Sequence, residues 1–143
     1  MNRQPGLALV ELLSIMVVTA IVTAIVTITV PMYERYKREA KLQEAFSTLI
    51  VLHSKEDSYW ADKHSYGHSD CAIGMLAGNT RHFMFTCSIE KGRKGYLITA
   101  NGQEELLNYN FTIDQDGKMV TTGFPGAKKL PASCWLETTG SCA

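Results

Sequence analysis

A single carboxylate, Glu11, interrupts an apolar run that starts at Leu7 and reaches Val30. A charge inside a membrane-length apolar helix costs roughly 2.5–3.5 kcal/mol on insertion scales, so a chain that keeps one supplies it with a partner. Gly6 closes a short polar leader carrying Arg3 and stands immediately before the run. Cleavage there would create a new α-amino group four residues from Glu11. The chemistry this spacing points to is neutralisation of a carboxylate by an ammonium, either its own or that of another copy.

The second set of chemically capable residues is four cysteines, Cys71, Cys87, Cys134 and Cys142, all well beyond the apolar run. An even count fits disulfides and an oxidising compartment. Four cysteines allow three connectivities, and spacing alone leaves all three open. His64 and His68 stand four apart with Asp70 and Cys71 nearby, which invites a metal reading. The segment lacks helical periodicity and the cysteine is better used in a disulfide, so no metal is expected. Asp114-Gln115-Asp116-Gly117 resembles the start of a calcium loop but lacks the further ligands and closing glutamate, and reads as a turn.

The sequence holds no G-x-S-x-G, no P-loop and no H-E-x-x-H, and no cofactor or enzymatic activity is expected. Lys91, Arg93, Lys94, Lys128 and Lys129 could make a basic surface for DNA, with Tyr96 or Trp135 for stacking. The formal net charge of zero speaks for ordinary solvated turns instead.

The elements that must position these residues follow from periodicity. Residues 7–30 would span about 36 Å as a helix, enough to cross a hydrocarbon core of about 30 Å. The run is rich in Val, Ile and Thr, but in lipid the backbone has no other hydrogen-bond partner, so helix is imposed. Thr19, Thr23 and Thr27 recur every fourth residue beside Ala20 and Ala24. Such a stripe either admits a close neighbouring helix or back-bonds to its own carbonyls. An ordinary signal peptide has a shorter apolar core and a small-residue cleavage site after it. Here Pro31-Met32-Tyr33-Glu34 follows the run, and the small residue precedes it.

Residues 32–60 read as a continuing helix that turns amphipathic, with Leu42, Ala45, Phe46, Leu49, Leu52 and His53 on one face. Arg35, Lys37, Arg38 and Lys41, interleaved with Glu34, Glu39 and Glu44, read as a solvated surface. Contact with phospholipid headgroups is the alternative. Residues 62–82 form a connecting loop. Alternation then predicts strands through Phe83, Phe85, Cys87 and Ile89, through Tyr96, Ile98 and Ala100, through Tyr109, Phe111 and Ile113, and over residues 119–121. Asp116-Gly117 marks a hairpin between the last two. Residues 123–143 read as an irregular tail.

The run Gly6-Leu7-Ala8-Leu9-Val10-Glu11-Leu12 resembles the prepilin signature of type IV pilins and of the pseudopilins of type II secretion. The resemblance covers roughly the first quarter of the chain by motif and the rest by layout. It implies a leader of residues 1–6, a transmembrane and assembly helix over 7–30, and a periplasmic or extracellular head over 31–143. It implies cleavage between Gly6 and Leu7 by a prepilin peptidase, N-methylation of Leu7, and an assembly role for Glu11. Leucine replaces the more usual phenylalanine after the glycine, and Pro31 comes about three residues later than the family's helix-kinking proline.

The implied fold is α+β, a long N-terminal helix packed on an antiparallel sheet of about four strands, with a disulfide-closed C-terminal loop. With that layout, local spacing implies Cys71–Cys87 and Cys134–Cys142. The implied partners are other pilin subunits, the peptidase, an inner-membrane assembly platform and, before assembly, inner-membrane lipid. The expected function is that of a structural subunit, a minor pilin, held in the bacterial inner membrane and then displayed on the cell surface for adhesion, twitching motility or DNA uptake. A secretion pseudopilin and a DNA-binding competence pilin are the alternatives. The C-terminal cysteine loop argues against the pseudopilin, since pseudopilins commonly lack it.

Overall fold

The computed structural model describes residues 5–67, 71, 80–90 and 94–143. The chain divides into two compact units, the first running to Glu39 and the second spanning Ala40–Ala143.

Helix α1, Pro5–Lys63, contributes to both. Its assignment passes through Pro31 without a break, although proline lacks the N–H of the regular ladder. Along residues 9–30 every large apolar side chain is more than half exposed. By length and composition the helix can cross a membrane. The threonine stripe back-bonds: Thr19 Oγ1 donates to the carbonyls of Ile15 and Met16, Thr23 Oγ1 to Thr19, Thr27 Oγ1 to Ala24. Each hydroxyl proton is thereby committed to its own helix. Further along, the Lys37 ammonium lies 5.1 Å from the Tyr33 ring centroid.

In the second unit α1 ends at Lys63, three residues beyond the sequence expectation. The His64 N–H still reaches the Trp60 carbonyl, with φ at 53°. The sheet comprises β1 (Phe83–Ile89), β2 (Tyr96–Gly102), β3 (Asn110–Asp114) and β4 (Met119–Gly123), in sequential antiparallel order. Register is set by pairs such as Phe85 with Ala100 and Ala100 with Phe111, with an irregularity at Asn110 and Phe111 against β4. Alternation sends Phe83, Phe85, Tyr96, Ile98, Phe111 and Ile113 to one face. There they form one core with Leu42, Ala45, Phe46, Leu49 and Leu52 of α1. The architecture is therefore a helix packed on a four-stranded antiparallel meander.

A short 3-10 helix, Glu104–Leu106, joins β2 to β3 and buries Leu106. The sequence reading had no element there. The Asp116-Gly117 turn is held by Asp114 Oδ1, which accepts from the N–H groups of Asp116 and Lys118 at 3.0 and 2.9 Å. Gly117 supplies the positive φ of 72°. The tail is more ordered than its composition predicts. Thr121 of β4 exchanges backbone bonds with Ala132, donates Oγ1–H to the Cys134 carbonyl, and accepts from the Leu136 N–H.

Candidate functional sites

At the N-terminal site, Gly6 and Leu7 lie within α1, and nothing is described of the Leu7 side chain. Glu11 is exposed on the same helix. Ser14 donates its hydroxyl to the Glu11 carbonyl at 2.8 Å, a backbone contact that leaves the carboxylate's role untouched.

The cysteines are paired Cys71–Cys87 and Cys134–Cys142. The first bond ties the connecting segment to β1. The second closes the last turn of the tail, where Leu136 and Cys142 also form a bridge. The sequence reading passed over Glu56, which is fully buried. Its carboxylate and the sulfurs of Cys71 and Cys87 lie within 4.8 Å of one another. The signal was available: position 56 continues the step of Leu49 and Leu52 along the buried face, and only its charge argued against burial.

His68 and Asp70 of the metal reading lie outside the described residues, and Cys71 is committed to its disulfide. Of the five basic residues considered for DNA, Lys91 and Arg93 lie outside the described residues. Lys94, Lys128 and Lys129 are exposed. Lys41 forms an ion pair with Glu105 across the fold rather than with a neighbour on its own helix.

A polar corner forms where α1 meets β2. Tyr96 is fully buried, and its Oη reaches His53 Nδ1, Asp57 Oδ1 and the His53 carbonyl. Tyr66 packs edge-on against Tyr96 and stacks on Trp60. Burial first, and then the Asp57 carboxylate as charge and hydrogen-bond partner, push the Tyr96 phenol well above its ordinary range. Burial, followed by Asp57, Asp116 and Glu56, raises Tyr66 as well. The sequence reading put His53 on the helix face without a partner.

An open groove of about 460 Å³ runs beside Phe46, Ile50, Met119 and Trp135. Its polar lining is Gln43 and Ser133, which make no nucleophile–base pair.

None of the protein-family models matches the sequence, and no curated protein matches it. Among solved structures, a type IV pilin from Shewanella oneidensis aligns with a TM-score of 0.49 at 12% identity, over 57% of this chain and 89% of that one. The non-core minor pilin PilV from Neisseria meningitidis aligns with a TM-score of 0.49 at 15% identity, over 68% of this chain and 96% of that one. In structure the chain is similar to type IV pilins.

Proposed function

We propose that this chain is a structural subunit of a type IV pilus, a minor pilin, with no enzymatic role. The observation that carries the reading is the exposed apolar surface of α1 along residues 9–30, broken by the carboxylate of Glu11. A water-soluble helix would bury that surface. A subunit that waits in lipid and then packs against the helices of its neighbours needs it exposed. Cleavage after Gly6 discards residues 1–6, frees and methylates the Leu7 amine, and lets Glu11 meet such an amine in the assembled filament. Residues 31–143 then form the head, periplasmic before assembly and at the cell surface afterwards. The partners are other pilin subunits, the prepilin peptidase, the assembly platform and inner-membrane lipid. The Cys134–Cys142 loop favours a pilus over a secretion pseudopilus.

Intact-mass analysis of protein sheared from cells tests the reading. Leu7 is the expected N-terminus, carrying one methyl group, and Gly6→Leu leaves an uncleaved membrane-held precursor. Met1 retained in the assembled protein, or a cut near residue 31, overturns it.

A further inference from the structure

Glu56, Cys71 and Cys87 belong to three different segments and meet at one point of the core. Glu56 stands on the buried face of α1, Cys71 in the connecting segment and Cys87 in β1. A carboxylate oxygen of Glu56 and the two sulfurs lie within 4.8 Å of one another. Glu56 is fully buried, Cys71 is buried, and Cys87 packs against the same core. Glu56 also acts on the Tyr66 and Tyr96 phenols, so its carboxyl group stands at the aromatic end of that core. Burying a carboxyl group is costly. Helix packing does not ask for one at position 56, since Leu49 and Leu52 fill the same face with hydrocarbon.

In the folded chain the two sulfurs are bonded to each other. Every chain is synthesised with them as thiols, and in that form the three groups are a donor set of two thiolates and a carboxylate. Calcium and magnesium take oxygen ligands in larger shells. Two sulfurs with one oxygen suit zinc, which accepts both donor types in a tetrahedral arrangement and leaves its fourth position to water. Two sulfurs on one tetrahedral zinc stand about 3.8 Å apart. The Cys71 and Cys87 Cα atoms, 5.9 Å apart, allow that separation by rotation about the Cα–Cβ bonds.

We propose that the reduced chain binds one zinc ion between Glu56, Cys71 and Cys87, at a site that closing the disulfide abolishes. The ion ties α1, the connecting segment and β1 together before the disulfide exists, and binding releases the thiol protons to solvent. It also keeps Cys71 beside Cys87 and out of exchange with Cys134 and Cys142. The site uses neither His64 nor His68. On oxidation the two sulfurs give two electrons to the disulfide of a thiol-exchange partner. The partner's sulfurs take up two protons from solvent and become a dithiol, the Cys71–Cys87 bond forms, and the ion leaves to water.

The test uses the full chain in detergent, reduced with a phosphine so that no added thiol competes for zinc. Each cysteine's alkylation rate is read by peptide mass with and without one equivalent of zinc. Zinc should slow Cys71 and Cys87 and leave Cys134 and Cys142 at their own rates. Cobalt(II) used in its place should bind once per reduced chain, with thiolate charge-transfer absorption and the visible bands of a tetrahedral ion, and should not bind the oxidised chain. Glu56→Gln should weaken zinc binding by at least the roughly 10–100-fold typical of groups that merely support a ligand. The alkylation pattern is read on the parent and needs no variant to fold. Slowing of all four cysteines alike, slowing of none, or an unchanged zinc affinity in Glu56→Gln overturns the proposal.

Discussion

The indole of Trp135 stacks on the ring of Phe46, with centroids 5.1 Å apart and planes 15° from parallel. Trp135 Nε1 also donates to the Thr112 carbonyl of β3 at 2.8 Å. One residue of the tail therefore closes over both the helix face and the sheet. Trp135→Ala should destabilise the second unit by about 3–5 kcal/mol. Trp135→Phe keeps the stacking and loses the hydrogen bond, a smaller cost of about 1 kcal/mol. Denaturant unfolding of the two variants should rank them in that order.

Glu11→Val removes the charge from the apolar surface and suits the helix better to lipid. In the proposed assembly it also strips a buried amine of its partner, at a cost of about 3–5 kcal/mol. The variant should accumulate in the membrane, cleaved and folded, and enter filaments poorly. Glu11→Gln should show a milder defect. The ratio of sheared-filament protein to membrane pool measures both, and equal incorporation of Glu11→Val would remove Glu11 from the assembly account.

Gly102 ends β2 where the chain turns back on itself. A Cβ there would stand 2.0 Å from the Leu106 carbonyl oxygen and 2.9 Å from that of Tyr109. The Gly102 N–H donates to that same Tyr109 carbonyl at 2.8 Å, so the backbones cannot separate without losing the bond. Gly102→Ala should cost at least the roughly 1–3 kcal/mol typical of overpacking. A thermal midpoint equal to the parent's would show that the connection yields freely.

Replacing either cysteine pair by alanine should lower stability by about 2–4 kcal/mol through the freed unfolded chain. The Cys71–Cys87 loop is the longer, with a sequence separation of 16 against 8, so its loss should cost slightly more. Access should order reduction differently: Cys142 is exposed and Cys71 is buried. Graded reductant followed by peptide mapping should open Cys134–Cys142 first.

Tyr96 titrates above its ordinary range in the folded chain. A raised folded-state value means that its contribution is complete below the unfolded value of about 10 and is lost as pH climbs beyond it. Stability should fall steeply with alkali above about pH 10, and Tyr96→Phe should weaken that slope. Phenolate absorbance in the parent should show Tyr96 ionising together with unfolding rather than before it.

Periodicity carried the local architecture. The three- and four-residue steps from Leu42 to Leu52 named the face that α1 buries, and alternation from Phe83 onward named the sheet's inner face. Asp116-Gly117 marked its turn because φ at that glycine is a local matter. The apolar run and its one carboxylate were likewise written in chain order, which is why the assembly proposal rests on them. What tertiary structure decided are the meetings between distant residues. Lys41 finds Glu105, 64 positions away, and His53 finds Tyr96, 43 positions away. Thr121 draws Cys134 and Leu136 onto β4, turning a tail of loop-like composition into part of the core. Glu56 is buried because its place on the helix face is set by its neighbours, whatever its own polarity prefers. Spacing along a chain fixes which side of an element a residue occupies. Which residue it faces depends on how those elements pack, and the meeting of His53, Asp57 and Tyr96 at one corner is a product of that packing.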